Sequence, residues 1–584
     1  MFFERIIFIK EAAMSSSVQP GKQPATTPSQ NPSFDPTSTG LVSSDVAKHA
    51  TSDGDWQAAT TLADLSQNGR KLVRINGRQV AIFQTENGLY ACNNRCPHEG
   101  FPLMEGTMAQ GCVLTCNWHN WKFDLESGDT LVGGDKLRRY PVRVTDDGVV
   151  ELDMTDPPQN QQRAEILANL DVALHEHDYD RLCREMARLE QIGVDPLAAI
   201  KTAFSLRMDR FEYGTTHAMP GAADWLAYRD ELTDDTERLA SLAETIGHIA
   251  WDSSYRPVYP FTSDVADWSE PEFSRAVEAE DENTAVALVR GAMAAGLTWD
   301  NLRPAFARCA MRHYAGFGHS VIYVSKVAPL LAVLGADALE SLLLPLTRHL
   351  CTVTREDLIP EFRAFHVVRK DWDSLVGSDP VTKDDFLGLP VSRVLARVRR
   401  SAGDVQGCYH ALLGAAAWQV RHFDQSVMYR TNMPIGTNVN WLDVTHALTT
   451  AQAVRELATE MPELWGDGLL QIGCFIGRNV KYINTDPDQP DYAASAGIDG
   501  HQDGETILQG LLRDRVLNHG CSDYIEPVHR LKTIMMARAE LAAFPDAPWR
   551  QDLLVAVHRY VNGEFPRRRA VRVAYQSQSF VGRE

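Results

Sequence analysis

The sequence changes character at Asp156-Pro157-Pro158, and this change limits the folds that the chain can adopt. From Trp56 to Met154, short apolar runs alternate with turn-forming residues, including Asn76-Gly77 and Asp146-Asp147-Gly148. Asn and Gly tolerate the positive φ angles of tight hairpins, so this pattern predicts short antiparallel strands. We therefore expect a small antiparallel β domain over residues 55–155.

After the proline break, the apolar residues follow a helical rather than a strand pattern. In segments such as Arg163 to Gly193 they recur at three- and four-residue spacings, which is typical of amphipathic helices. A chain of 584 residues is also too long for one hydrophobic core. The sequence therefore predicts a multidomain protein whose residues 160–584 form a large all-α domain.

Parts of the helical region resemble each other at a nearly constant offset. Gly214-Thr-Thr-His217 aligns with Gly316-Phe-Gly-His319, and His248 aligns with His349. The alignment predicts two repeats of about 100 residues, at about 165–260 and 268–360. The identities are few, so a chance similarity between amphipathic helices is the alternative.

The N-terminal residues 1–54 provide few apolar side chains that a hydrophobic core could bury. Ser15 to Ser52 is rich in Ser, Thr, Pro and Gln, which predicts a disordered tail. Before it, Arg5 and Lys10 bracket only four apolar residues, too few for a signal peptide. Met14 is an alternative start of translation.

Charge, hydropathy and cysteine content limit the partners and the cellular compartment that we expect for the protein. The formal net charge of −20 opposes binding to phosphate backbones, so we expect no nucleic-acid partner. No apolar run approaches the roughly 18 residues of a membrane span, which predicts a soluble protein. Six of the ten cysteines are scattered along the chain, as in reduced cytoplasmic proteins.

Two Cys/His pairs are the most specific motif of the β region. Cys96-Pro-His98 is followed, after seventeen residues, by Cys116-Asn-Trp-His119. Two thiolates and two imidazoles can hold a two-iron cluster, with the thiolates on one iron and the imidazoles on the other. They can also bind zinc, although zinc sites usually pair Cys with Cys and His with His. Cys92 and Cys112, each four residues before a motif cysteine, are alternative ligands or simply buried thiols.

The residues around these pairs resemble a known family. They are Cys96-Pro-His98-Glu-Gly100, Gly106, Cys116-Asn-Trp-His119-Asn-Trp-Lys-Phe123-Asp124 and Ser127-Gly128. This pattern closely resembles Rieske ferredoxins and the Rieske domains of aromatic-ring dioxygenases, over about 95 to 100 residues. The resemblance implies a [2Fe-2S] cluster bound by Cys96, His98, Cys116 and His119, and transfer of one electron at a time.

One departure separates this chain from the Rieske proteins of respiratory complexes. Those proteins carry an extra cysteine in each loop, whereas this chain has Phe101 and Trp118 at the corresponding positions. The chain therefore resembles the dioxygenase-associated type, which accepts electrons from a reductase and passes them to an oxygenase centre. We expect a ferredoxin reductase or a similar donor as partner, and no quinol oxidation.

The helical domain lacks the iron motif of ring-hydroxylating oxygenases, Asp-x-x-His-x-x-x-x-His. Several histidines nevertheless stand where helices are expected to begin, two of them three residues after a carboxylate, as in helical metal sites. The candidates for a second metal are His319, Asp443, His446, Glu526 and His529, with His217, His248, His349, His410 and His422 as further possibilities. A histidine with a purely structural hydrogen bond is the alternative for each.

Two functions fit these features. The first is a Rieske oxidoreductase, oxygenase-like, that relays electrons to a non-haem metal in the helical domain and acts on a small molecule. The second is a redox sensor or ferredoxin-like carrier tethered to a helical scaffold. No flavin, nicotinamide or phosphate-binding motif is present, so the reductant should come from a separate protein.

Overall fold

The computed structural model describes residues 54–370, 372, 377–486, 492–498, 503–565 and 569–582. The tail that we predicted to be disordered lies outside these residues, except for Gly54. The chain divides into two compact units, of which the first ends at Asn169 and the second begins at Leu170.

The first unit is a small antiparallel β structure, as predicted. Its strands form three sheets, in the orders β1-β11-β10, β2-β3-β4-β9 and β5-β6-β7-β8. Its elements are β1 (Trp56–Thr61), α1 (Leu62–Asn68), β2 (Arg70–Ile75), β3 (Arg78–Thr85), β4 (Gly88–Asn93), β5 (Thr107–Ala109), β6 (Val113–Thr115), β7 (Lys122–Asp124), β8 (Thr130–Val132), β9 (Arg139–Tyr140), β10 (Val142–Val144) and β11 (Val149–Asp153).

The predicted hairpin between β2 and β3 is confirmed. Asn76 and Gly77 have φ angles of 49° and 78°, and Ile75 pairs with Arg78 across the turn. Helix α1 was not expected from the sequence, because seven residues are too few for a clear helical period. It begins where Thr61 accepts a hydrogen bond from the Asp64 N–H group.

Strand β3 connects the two hydrophobic clusters of this unit, because its residues alternate between them. Ala81 and Phe83 pack with Cys96 and Cys116, whereas Val80 and Ile82 pack in the other cluster. Successive side chains of a strand point to opposite faces, so β3 is buried on both sides. The two motif cysteines are therefore part of a packed core.

The second unit is helical, and its described residues contain only isolated β-bridges. Helices α2 to α11 are α2 (Gln159–Glu176), which crosses the boundary between the units, α3 (Tyr179–Gln191), α4 (Leu197–Arg207), α5 (Ala218–Glu231), α6 (Asp235–Ser253), α7 (Glu270–Glu278), α8 (Glu282–Ala294), α9 (Trp299–Met311), α10 (His319–Leu334) and α11 (Leu339–Thr352). They are followed by α12 (Ala364–Lys370), α13 (Val391–Arg400), α14 (Val405–Arg421), α15 (Trp441–Glu460), α16 (Trp465–Asn479), α17 (Tyr492–Ala496), α18 (Gly504–Leu511), α19 (Ile525–Ala543), α20 (Arg550–Val561) and α21 (Ala570–Val581).

Several backbone features recur 103 residues apart, in α2 to α6 and again in α7 to α11. Asp178 and Asp281 both cap the next helix by accepting a hydrogen bond from the N–H group three residues later. Gly193 and Gly296 both have a positive φ, of 74° and 77°. Matching caps and turns at one offset support the interpretation of an internal repeat.

Four helices form a ring in which α5 packs against α10, α10 against α15, α15 against α19, and α19 against α5. Ion pairs, together with contacts between histidines at the helix starts, show that the helices run in the same direction. Asp224 on α5 binds Lys326 on α10 at 2.8 Å, seven residues after His217 and His319 respectively. Arg455–Glu540 and Glu231–Arg538 join the other helices at 2.6 and 2.8 Å. The N-terminal ends of all four helices therefore lie together.

One segment of the described chain, Gly316–Leu334, is long and apolar enough to cross a membrane by length and composition, with a mean hydropathy of 1.5. The expectation that no apolar run approaches this length was therefore wrong. Most of the segment, 61%, is buried within the fold, where α10 belongs to the ring of four helices. Burial of this kind is typical of core helices.

Candidate metal centres

The two Cys/His loops of the β unit close with the same hydrogen bonds. The Cys96 N–H group donates to the Phe101 carbonyl, and the Cys116 N–H group donates to the Trp121 carbonyl, both at 2.8 Å. In each loop the residue four places after the cysteine, Gly100 or Asn120, donates back to the cysteine carbonyl. Both of these residues have a positive φ. The two loops are thus structurally equivalent, although their histidines stand at different positions.

The loops bring the four predicted side chains together. The rings of His98 and His119 are 4.8 Å apart between centroids, and Cys96 and Cys116 are 3% and 1% exposed. Burial, with a contribution from Cys116, raises the pKa of the Cys96 thiol to about 11. The His98 Nδ1 atom is buried and has no hydrogen-bond partner among the described residues. Adjacent buried thiols and an unpartnered imidazole nitrogen fit the donor set of an iron–sulfur cluster.

A family model of the Rieske [2Fe-2S] domain matches residues 55–140. The methanesulfonate monooxygenase ferredoxin subunit of Methylosulfonomonas methylovora is 34% identical over 92 residues, which are 16% of this chain and 75% of that protein. The chain belongs to the Rieske family. Its Rieske domain binds a [2Fe-2S] cluster, which transfers single electrons.

Other similarities also cover a short part of the chain. The 4beta-methylsterol monooxygenase of Methylococcus capsulatus is 35% identical over 100 residues, and human apoptosis-inducing factor 3 is 26% identical over 113. This chain spans 27% and 18% of those proteins. The ferredoxin of carbazole 1,9a-dioxygenase from Nocardioides aromaticivorans IC177 is 22% identical, with 17% of this chain and 98% of that one covered and a TM-score of 0.16. The helical region has no family match.

Aromatic side chains surround the two histidines of the Rieske domain. Trp121 stacks on His98 at 4.6 Å, and Phe101 stacks on Trp118 at 4.1 Å. Trp118 is 58% exposed and His119 lies close to the surface, so one face of the domain presents an imidazole edge to solvent. Of the alternative ligands, Cys92 lies in β4 and packs in the same hydrophobic cluster as Cys96 and Cys116, whereas Cys112 lies just before β6.

Four histidines of the helical unit converge at the N-terminal end of the helix ring. They are His217, His319, His446 and His529, one from each helix or its cap, and all are buried. One ring nitrogen of each lies within 4.8 Å of the others. The His319 Nε2 atom is 3.0 Å from that of His217 and 3.1 Å from that of His446.

The hydrogen bonds fix which nitrogen of each ring carries the proton. The Nδ1 atoms of His319, His446 and His529 lie 2.5, 2.6 and 2.7 Å from the carbonyl oxygens of Gly316, Leu442 and Ile525. A carbonyl oxygen only accepts, so each Nδ1 must donate and each neutral ring presents a lone pair at Nε2. Three lone pairs thus point into one small space, which is the arrangement of metal-binding imidazoles.

The spacing of these atoms fits a common metal ion. Two imidazole nitrogens bound at right angles to an ion, each at about 2.1 Å, are about 3 Å apart. Burial lowers the pKa of all four rings well below the usual value, and Lys532 and the neighbouring histidines lower it further. The rings are therefore neutral at pH 7, which is the form that binds metals.

Lys532 is the cationic neighbour of this group, and no sequence pattern predicted its position. Its Nζ atom lies 3.3 Å from the His446 Nε2 atom, to which it can donate. The His529 Nε2 atom has no hydrogen-bond partner in the described part of the chain. Lys532 is therefore placed to donate to one of the converging lone pairs.

The predicted carboxylates lie outside the group of four histidines, in ion pairs with arginine. Asp443 accepts from Arg478 at 2.7 Å and caps its own helix, and Glu526 binds Arg530 at 2.7 Å. His217, a further possibility in the sequence, completes the group instead. The sequence can predict that residues three apart share one face of a helix. Only the packing of the four helices shows which face of each helix points into the ring.

The other candidate histidines have individual hydrogen-bonding or ring-stacking partners. His248 stacks on Tyr524, His349 bonds Ser320, His410 bonds Trp549, and His422 donates from Nδ1 to the Trp418 carbonyl. A third group, His313, Asp357 and His366, includes Arg355, whose Nη2 atom is 2.8 Å from His313. The arginine already supplies the positive charge there.

Glycines allow the ring helices to approach closely at the histidines. A Cβ atom on Gly221 of α5 would lie 2.4 Å from Val528, the neighbour of His529 on α19. A Cβ atom on Gly318 would lie 2.2 Å from the Thr450 Oγ1 atom on α15. Both distances are far below van der Waals contact, so larger side chains would push the ring apart.

Proposed function

We propose that this protein is a Rieske oxidoreductase that delivers single electrons to a second metal, held by His217, His319, His446 and His529. The observation that carries the proposal is the convergence of Nε2 lone pairs whose protons are fixed on Nδ1. The alternative of a helical scaffold does not require a buried polar centre. A buried set of neutral imidazoles is costly unless it binds something.

We assign the cluster ligands by the loop geometry. Cys96 and Cys116 would bind one iron of the [2Fe-2S] cluster, and His98 and His119 the other. The N–H groups of His98 and Glu99 donate to the Cys96 sulfur, and such hydrogen bonds raise the potential of a cluster. The exposed edge of His119 offers a route for electrons into the cluster from a separate reductase.

The one-electron donor and the imidazole ligands limit which metal the second centre can use. A one-electron donor is useful only to a metal that changes its oxidation state, and imidazole ligands suit iron and copper as well as zinc. Of these, we propose non-haem iron, which could supply oxygen activation toward a small-molecule substrate. The ferredoxin and monooxygenase names among the relatives agree with such a system. We propose a cytoplasmic location, as the scattered cysteines indicate.

Metal and electron counts on the full-length protein test this function. We expect two irons from the cluster and one further metal per chain, and two electron equivalents on anaerobic titration with dithionite. The reduced cluster should give the electron paramagnetic resonance signal of a Rieske centre, distinct from that of the second metal. Two irons, no other metal and one electron per chain would refute the proposed second centre.

A further inference from the structure

The turn before α10 has an unusual backbone. Gly316, Phe317 and Gly318 have successive φ angles of 57°, 52° and 80°. A bulky aromatic residue is strained in this left-handed region. Such strain persists only where the surrounding contacts impose it, and it is concentrated at functional sites.

The first repeat begins its equivalent helix without this strain. There the chain runs through Gly214-Thr215-Thr216 to His217, and among these residues only Gly214, at 79°, has a positive φ. A helix that starts with an inward-facing histidine therefore does not require a left-handed turn. The strain at Phe317 needs another explanation.

We propose that Phe317 is a positioning residue for the four-histidine centre, because its strained turn orients His319 and His446 together. The inference rests on the proposed function, since it assigns a role toward the same metal. The Gly316 carbonyl accepts from the His319 Nδ1 atom at 2.5 Å. The Phe317 ring packs against the His446 ring, with centroids 5.4 Å apart.

Other parts of the unit hold the turn in place. The Gly316 N–H group donates to the Thr354 carbonyl at 2.8 Å, and the Phe317 N–H group lies 3.4 Å from a carboxylate oxygen of buried Glu356. The Arg478 guanidinium lies 4.8 Å from the centre of the Phe317 ring and binds Asp443. Asp443 precedes His446 by one turn of α15, so these contacts join both ligand-bearing segments.

The consequence for a bound metal is geometric. If the ring is removed, His446 loses a packing partner and the Gly316–Gly318 turn is free to relax. The carbonyl that orients His319 would then move with it. Ligand orientation set by neighbouring groups typically changes metal affinity by 10- to 100-fold, without any change in the ligands themselves.

The test uses the full-length protein with its cluster intact, after a chelator has removed the second metal. Co(II) is titrated as the probe, and its visible absorption reports ligand geometry. We expect Phe317→Leu to weaken Co(II) binding at least tenfold and to alter the spectrum. The Rieske signal in the same sample should remain unchanged. Phe306→Leu, at another fully buried aromatic position, is the matched control and should bind Co(II) normally.

Each outcome decides a different point. If the parent protein binds no second metal, the proposed function fails and the role of Phe317 fails with it. If the parent binds Co(II) and Phe317→Leu has the same affinity and spectrum, only the positioning role is refuted. Should Phe317→Leu not fold, Phe317→Gly accepts the left-handed φ, and normal Co(II) affinity in that variant would equally refute the role.

Discussion

The Nε2 atoms of His319 and His446 lie 3.1 Å apart, although both rings donate from Nδ1 to backbone carbonyls. Neutral rings in these tautomers bring two lone pairs face to face, and burial opposes protonation of either ring. A shared cation removes this repulsion. The helical unit should therefore be more stable with metal than without it.

The first prediction concerns the removal of the proposed second metal. A ligand present at 1,000 times its dissociation constant stabilises the folded state by about 4 kcal/mol. Chelation should lower the unfolding midpoint of the full-length protein, and Fe(II) should restore it. The visible spectrum of the cluster verifies that the Rieske domain is intact. An unchanged midpoint in thermal unfolding would contradict the prediction.

Replacement of one histidine should empty the second centre alone. We expect His529→Ala to reduce the metal content by the second ion and to leave two irons per chain. His422→Ala is the matched control, because His422 also donates from Nδ1 to the carbonyl four residues earlier. Elemental analysis of both variants distinguishes them. Equal loss of metal in the control would mean that unfolding, not ligation, is being measured.

Cluster binding should depend on Cys116 and not on Cys112. Cys116→Ser should abolish the Rieske signal in electron paramagnetic resonance, because the hydroxyl is a far weaker ligand than a thiolate. Cys112→Ser should retain it, since Cys112 lies in the hairpin before β6 and is partly exposed. A cluster signal that survives in Cys116→Ser would require another ligand.

The close approach of α5 and α19 can be tested with glycine variants. Gly221→Ala should lower the free energy of unfolding by about 1–3 kcal/mol, because its methyl group collides with Val528. Gly510→Ala, in a helix with open space around the new methyl group, should stabilise by about 0.5–1 kcal/mol. The double variant Gly221→Ala/Val528→Ala should lose less free energy of unfolding than the sum of the losses in the two single variants. Strict additivity in urea unfolding would show that the two residues do not collide.

Glu356 makes stability depend on pH. Burial raises the pKa of Glu356 to about 7, and Asp357 contributes to the rise. Between about pH 4.5 and 7 the folded chain keeps a proton that the unfolded chain has lost, so stability falls as pH rises, by up to about 3 kcal/mol. Glu356→Gln should thus gain stability over the parent at pH 8 but little at pH 5. Glu463→Gln, at an exposed position, is the control. A stability difference between Glu356→Gln and the parent that is equal at pH 5 and pH 8 would disprove the effect.

The two candidate centres differ in how far sequence could predict them, and the reason is the range of their contacts. Cys96 to His119 form two short loops, whose spacing alone indicates a shared site. His217 and His319 lie 102 residues apart, and under the predicted repeat this spacing would say only that they occupy equivalent positions. Their convergence depends on the closure of four helices into a ring, and no local pattern encodes that closure.

Other details of the candidate site could not be predicted from the sequence, and the reasons are physical. Asp443 and Glu526 share a helix face with a histidine, but nearby arginines bind them and the histidines turn inward alone. The strained conformation of Phe317 contradicts the usual preference for glycine at positive φ, so tertiary contacts override the local rule. Lys532 follows no motif, and only the packing of α15 against α19 brings it to His446.

The distance along the chain between the four histidines also fixes the order in which the protein can be completed. The proposed cluster ligands are encoded within 24 residues, whereas the first and last of the four histidines, His217 and His529, are 312 positions apart. Chains emerge from the ribosome N-terminus first, and their domains generally fold in that order. The cluster can therefore be inserted while the helical unit is still being synthesised. The proposed second centre could form only after α19 has emerged, and therefore only after the cluster loops.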